Sequence, residues 1–445
     1  MRALTSGDAL PSATPIAADE FAGLVKSFAP FSTRCAIAVS GGPDSMALAF
    51  CVKRWGGDIL ALIVDHALRP ESAKETEETQ KKLIKLGIQS EILRWDHEPV
   101  VSKLHATARK ARYSLLVEAC RRHGIHDLLL AHQREDQAET ILMRLAKGSG
   151  VDGLAGIPAR SFLSDVRLVR PFLNIAKERL IATCAAAGIS FIADPSNDSE
   201  KFARGRLRRV LPLLADEGLT VKRLLDLGAR AGEVRDALDH YTKSLLRVAT
   251  KRDDAGVLRF NLEQLRSAPR AVGLRALGFC LQHVHEEEYG PERASLASLY
   301  DALCAGGDME TRTLHGCLIA KNENHATFMR EYAAVTDAPT IRTGETVVWD
   351  NRWAVTLAKR LEINDQRFSN LSSSSVFSIR PLGNPPHEFV DKLMPSLRHQ
   401  FSQGRIRACL PSLWQGEKLV LIPSFMDLSP IAEARLFKPW PPCGF

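Results

Sequence analysis

The sequence predicts an α/β protein: an amino-terminal domain on a parallel sheet, then a mainly helical domain, then a small α+β domain. Three observations carry this. Between about Cys35 and Leu214, short apolar runs alternate with longer amphipathic stretches. From Lys222 to about Gly306, leucines recur at helical spacing and no comparable strand-like run appears. Past Gly344, β-rich segments and clustered prolines take over. Alternating strands and helices argue for a parallel sheet, because parallel neighbours need a long crossover between them.

The expected strands are Cys35–Val39, Ile59–Val64, Leu128–Ala131 and Val166–Val169. The first three are short and largely apolar, as strands covered on both faces must be. Helices are expected over Met46–Val52, Ser72–Leu86, Ala106–His123 and Gln137–Leu145, where apolar residues recur at helical spacing. Leu224, Leu225, Leu227, Leu238, Leu245 and Leu246 mark the helical domain. Beyond it, Val347–Leu357 and Leu419–Pro423 read as strands. Ser372–Ser375 reads as a loop, and Pro381, Pro385 and Pro386 break the pattern. The expected divisions are a loose leader over 1–30, a catalytic domain over 31–218, a helical domain over 219–335 and an α+β domain over 336–445.

Composition narrows the class. The chain has 445 residues, 45% hydrophobic, with a formal net charge of +7. No run approaches the ~18 apolar residues of a membrane span. The first twenty residues contain Asp8, Pro11, Pro15, Asp19 and Glu20 and lack a signal peptide's apolar core. A cytoplasmic protein with no membrane partner is therefore expected. The nine cysteines form no CxxC pair, so no zinc or iron–sulfur site is expected. The basic balance permits a phosphate-rich partner.

The most informative local feature is Ser40-Gly41-Gly42-Pro43-Asp44-Ser45, between an expected strand and an expected helix. Glycines at such a turn let backbone amides approach an anion. Pro43 suits the first helical position, and the helix start adds partial positive charge. Asp44 would repel bare phosphate but suits a Mg²⁺ lying between carboxylate and phosphate. A Ser-Gly turn capping an ordinary helix would carry the same residues. No GxxxxGK[ST] occurs. Gly148, Gly150 and Gly153 match GxGxxG but follow an expected helix, where a dinucleotide fingerprint must follow a strand.

Further candidates cluster along the same region. His132 follows an expected strand, at the edge where open α/β sheets hold ligands. Asp136 and Glu139 share a helical face, and a helix-capping cluster would look alike. Lys201 to Arg209 has five basic residues and no acidic one. Arg204 pairs with Arg208 and Arg206 with Arg209 in spacing. Such a stripe can neutralise an RNA backbone, and a solvated helix face would show the same pattern.

SGGPDS fits the SGGxDS signature of the PP-loop ATP pyrophosphatase superfamily. Val64-Asp65-His66-Ala67-Leu68-Arg69-Pro70 resembles the VDHGLRP segment of the tRNA(Ile)-lysidine synthase family. Ala131 to Thr140 resembles that family's AHxxDDQxET block. Gly148 to Leu154 resembles its GSGxxGL loop, and Ala108 to Tyr113 its ARxxRY segment. Arg170-Pro171-Phe172-Leu173 and Asp194-Pro195-Ser196-Asn197 also match. Together these cover roughly 35–214. Weaker likenesses follow at Arg312–Cys317 and Arg407–Trp414.

The resemblance implies a PP-loop fold and a ligase that joins free L-lysine to the wobble cytidine of tRNA(Ile) with a CAU anticodon, using ATP and Mg²⁺. It implies ATP binding at Ser40, Gly41, Gly42, Pro43, Asp44, Ser45, Val64, Asp65 and His66. Asp44, His132, Asp136 and Arg109 would be catalytic, with Mg²⁺ on Asp44 and Asp136. Arg112, Arg204, Arg206 and Arg208 would hold tRNA. A homodimer is left open. Three departures stand out: Ala67 for glycine, Glu135 for the first aspartate of the DD pair, and Gly205 for asparagine. The alternatives are another PP-loop tRNA-modifying enzyme, such as a thiolase, or a non-catalytic RNA-binding protein.

Overall fold

Five consecutive buried residues, Cys35–Val39, form the centre of the first sheet. Alternate side chains of this strand enter different cores. Cys35, Ile37 and Val39 pack on one face, and Ala36 and Ala38 on the other. A central strand covered on both faces therefore needs the unbroken apolar run seen in the sequence.

The structure is a computed structural model that describes residues 13–31, 34–68, 71–97, 104–192, 203–285, 290–358, 376–385, 404–424 and 432–436. Expectations for Arg69-Pro70, Asp194–Asn197, Lys201, Ser372–Ser375 and Pro386 lie outside the described residues. The chain divides into two compact units, 1–235 and 236–445.

In the first unit the order is α1 (Ala18–Lys26), β1 (Arg34–Val39), α2 (Pro43–Trp55), β2 (Asp58–Asp65), α3 (Ser72–Lys85), β3 (Gln89–Arg94), α4 (Leu104–Arg122) and β4 (Asp127–Leu129). Then come α5 (Arg134–Ala146), α6 (Val151–Leu154), β5 (Arg160–Leu163), β6 (Val166–Val169), α7 (Lys177–Ala186) and α8 (Ala203–Asp216). The division falls within α9 (Val221–Ala249). The sheet order is β3-β2-β1-β4-β6-β5. Every neighbouring pair is parallel except β5–β6, which is antiparallel. Side chains of α1, α2, α3 and α7 share one core, and those of α4 fill the other. This is a doubly wound α/β sheet, and its strand order reverses between β1 and β4.

Several expectations are corrected here. The leader is not loose over 16–26: Ile16, Phe21 and Val25 are at most 1% exposed in the core, and Arg179 clamps Glu20. Three widely spaced apolar residues are enough to dock α1. β3 was not expected, because QSEILR is half polar and lies at the sheet edge. α8 runs through Pro212.

In the second unit β7 (Thr250–Arg252) and β8 (Leu258–Asn261) precede α10 (Leu262–Ser267), α11 (Arg270–His285) and α12 (Arg293–Cys304). β9 (Met309–Leu314), β10 (Cys317–Lys321) and β11 (His325–Arg330) complete a sheet of order β7-β8-β11-β10-β9. The stretch from Lys222 to Gly306, read as the core of a mainly helical domain, thus contains two strands. They are three and four residues long, too short to show a period. β12 (Thr340–Arg342), β13 (Thr346–Trp349), β14 (Trp353–Leu357), β15 (Val376–Pro381), β16 (Pro411–Gln415), β17 (Lys418–Leu421) and β18 (Ala432–Leu436) form two small antiparallel sheets. Val347–Leu357 is a hairpin rather than one strand. Asp350 and Asn351 turn it at positive φ, a conformation that Asp and Asn tolerate better than most residues. Asp350 is buried between Arg330 and Arg352, which ties the turn to β11.

Candidate active site

The carboxyl ends of β1 and β4 face each other across the point where strand order reverses, and open α/β sheets bind ligands in that crevice. At the end of β1 the segment Ser40–Gly42 turns into α2, with Gly42 as N-cap and Pro43 in the first turn. Gly41 sits at φ +80, and a Cβ there would collide with Thr79 Oγ1. The loop is therefore restricted to glycine by both backbone and neighbour. Ser45 Oγ accepts from Ser40 N (3.2 Å) and donates to Gly42 O (3.0 Å), which fixes the turn from within. Ile192 N donates to Gly41 O at 2.9 Å.

Asp44 lies in the first turn of α2, and its Oδ1 is buried without a hydrogen-bond partner among the described residues. Burial is the main reason its carboxyl is pushed up to about 6. The negative charges of Asp136 and Glu135 add to the rise, while Lys177 and Arg208 oppose it. Crowded carboxylates with an orphaned oxygen fit a cation site. Among the described residues no group of three or more His, Cys, Asp or Glu could hold a metal. A cation here would need two carboxylates and substrate oxygens, the usual manner of Mg²⁺.

Asp136 also does what the capping alternative required. Its Oδ2 accepts from Gln133 N (3.1 Å), and Gln133 Oε1 accepts from Glu135 N (2.6 Å), forming a capping box on α5. Capping and proximity to Asp44 therefore coexist. Glu135 is committed elsewhere: Oε1 accepts from Arg134 Nε and Oε2 from Lys177 N, joining α5 to the start of α7. The longer side chain at this departure from the family pattern thus bridges two helices.

His132, beyond the end of β4, is pushed down to about 3. Burial contributes most, followed by the charges of Arg170, Arg112, Arg109 and Arg204. Its Nδ1 is buried and has no hydrogen-bond partner among the described residues. Arg109 stacks on Tyr113, with the guanidinium 5.0 Å from the ring centre. Arg170 is 6% exposed and donates to Pro158 O and Ser161 Oγ. A neutral imidazole within a field of four guanidiniums is arranged for anions.

At the end of β2, Asp65 Oδ1 accepts from Ala67 N (2.9 Å) and Ser72 Oγ (2.7 Å), which closes the following turn. Ala67 holds φ +49 there. It adopts the turn that the glycine-containing pattern demands, at a cost of about 1 kcal/mol. His66 is partly buried, its Nδ1 has no hydrogen-bond partner among the described residues, and its pKa is lowered, chiefly by burial and then by Arg112. Val64 lies in β2 beside it.

The arginine stripe of α8 makes a contact within the fold. Arg204 and Arg208 do share a face of α8, but that face turns toward Glu139. Glu139 is 1% exposed, and Arg208 Nε donates to its Oε1 at 2.6 Å. Arg204 Nε stands 3.9 Å from its Oε2. Arg208 is thus paired with a buried carboxylate, while the Arg204 side chain stays 42% exposed. Arg206 lies on the exposed side. Gly205 is buried. GSG-loop residues 148–156 follow α5, so no dinucleotide fingerprint is formed; Arg144 Nη1 donates to Gly153 O and Gly156 O instead.

Residues 14–214 match the PP-loop domain family model. A tRNA(Ile)-lysidine synthase from Anaplasma marginale is 30% identical, over 87% of this chain and 85% of the relative. The chain belongs to the tRNA(Ile)-lysidine synthase family. A member from Ruegeria pomeroyi is 34% identical over 88% of each chain. One from Methylobacterium sp. (strain 4-46) is 42% identical over 64% of this chain and 85% of its own. Family membership accords with the ATP-type loop at β1. No described helix is long and apolar enough to cross a membrane.

Sequence reasoning gave no role to two residues that matter here. Lys177 opposes the negative charge around Asp44, and Arg170 is the arginine with the largest effect on His132. Arg170 was visible within the RPFL match. Lys177 carried no signal, because only the packing of α7 on α2 brings it there.

Proposed function

We propose that this chain adenylates the wobble cytidine of tRNA(Ile) with a CAU anticodon and then joins free L-lysine to C2, giving lysidine, AMP and pyrophosphate. The observation that carries this is the meeting, at one sheet edge, of a phosphate loop bearing an orphaned carboxylate with a neutral histidine among four arginines. ATP places its phosphates on the amides of Ser40–Ser45, at the start of α2. Cytidine O2 attacks the α-phosphorus and pyrophosphate leaves. The amine of lysine attacks C2, AMP leaves with the former O2, and the amine proton is lost. Asp44 and Asp136 would hold Mg²⁺, which would supply Lewis-acid stabilisation of charge on the pyrophosphate.

Arg109, Arg112 and Arg204 suit the phosphates that flank the reacting base. In the free protein burial chiefly, with the charges of Arg170, Arg112, Arg109 and Arg204, holds His132 neutral. A phosphate seated among them offsets their charges, so His132 recovers the part of its basicity that the arginines suppress, while burial still opposes the rest. His132 then stands ready to accept the lysine proton. Arg206 and the paired Arg208 border the same helix and contribute to tRNA binding through the surrounding field. The mechanism is met equally by a monomer or a homodimer. A tRNA substrate is in keeping with a cytoplasmic enzyme.

The test is exchange of labelled pyrophosphate into ATP. Exchange should require the tRNA and proceed without lysine, because the first step is complete before lysine enters. Exchange that requires lysine and ignores tRNA would mean an aminoacyl adenylate and would refute the proposal.

A further inference from the structure

The carboxyl ends of β2 and β3 carry an aromatic cluster with no role in the chemistry above. Trp95 follows β3, and its backbone N–H donates to Asp65 O at 2.9 Å. Its ring lies against that of His97, centroids 3.8 Å apart and tilted by 33°. The edge of His66 meets Trp95 at 6.4 Å and 89°. His97 Nε2 lies 3.2 Å from His66 O, so the two loops are latched together. Trp95 is only partly buried, and His66 Nδ1 is buried without a hydrogen-bond partner among the described residues.

We infer that Trp95, braced by His97, is the stacking wall for the adenine of ATP, with His66 Nδ1 as a hydrogen-bonding group beside it. This rests on the adenylation reading. β3 lies two strands from β1, about 10 Å at ordinary strand spacing. That reach is comparable with the span from phosphates to base in a nucleotide. A flat, rigid indole at that distance offers a base its face. A neutral imidazole offers either a donor or an acceptor to the base edge. Burial and Arg112 keep His66 neutral.

The experiment measures binding of ATP with Mg²⁺, of inorganic pyrophosphate and of tRNA to the full chain. Trp95→Ala should weaken ATP about 10- to 100-fold, as expected for loss of one stacked base. Pyrophosphate binding should stay within about two-fold, which also reports an intact loop. Trp95→Phe should keep most of the affinity while losing the quenching of tryptophan fluorescence that ATP causes in the parent. Parental ATP affinity in Trp95→Ala, or undiminished quenching in Trp95→Phe, would overturn the inference and leave the adenylation reading intact. Weakened tRNA binding with unchanged ATP binding would make the cluster an RNA platform instead. A parent that binds neither ATP nor pyrophosphate would refute the adenylation reading itself.

Discussion

Asp44→Asn is expected to lower lysine incorporation by at least ~100-fold, the scale of losing one strong electrostatic contact in the transition state. It should not unfold the protein. The Asp44 carboxyl is raised from 3.8 to about 6, chiefly by burial, so the folded state holds this proton more tightly than the unfolded chain. Stability from that group is therefore present at low pH and lost as pH rises through about 6. An asparagine avoids the loss. The variant should melt above the parent at pH 7.5 and alongside it near pH 4, as followed by circular dichroism in the absence of nucleotide. For the same reason, parental binding of Mg²⁺ and ATP should strengthen as pH rises through about 6. Near-parental incorporation, or an equal gain in melting temperature at both pH values, would remove Asp44 from the metal site.

Arg208→Ala is expected to cost about 3 kcal/mol, because it leaves a buried carboxylate without its nearest cation. Glu139 already has a raised pKa, with burial outweighing the help of Arg208. Without Arg208 the rise should be larger, so the damage grows as pH climbs through the folded value and fades once Glu139 is protonated. Adding Glu139→Gln to the variant should restore most of the loss. Urea unfolding at two pH values checks both statements. Parental stability together with a flattened salt dependence of tRNA binding would instead place Arg208 on the RNA.

The strands that were legible were those covered on both faces. Cys35–Val39 and Ile59–Val64 advertise themselves because helices lie above and below them. β3 and β5 stand at the sheet edges, carry polar residues and gave no such run. In the site, Ser40–Ser45 was legible because its function needs a local backbone shape. Ala67 was legible as a departure, and its positive φ shows what the pattern's glycine is for. Asp136 was undecided between cap and site because its contacts serve both. Arg208 was undecided for a physical reason: a basic stripe has the same spacing whether it faces RNA or a buried carboxylate 69 residues away in sequence. Arg170 and Lys177 reach the site through tertiary packing, to which local spacing is blind.

The most direct measurement is incorporation of labelled lysine into RNA, with the nucleotide products identified. Protein, Mg²⁺, ATP and tRNA(Ile) with a CAU anticodon should yield label in an internal, alkali-stable position. About one AMP and one pyrophosphate should form per lysine, as expected when water is excluded from the adenylate. ADP should not appear, since the loop has no Walker lysine. A tRNA with another anticodon should take up no label. Label in an alkali-labile ester at the 3′ end, or modification that proceeds without lysine, would contradict the proposed reaction.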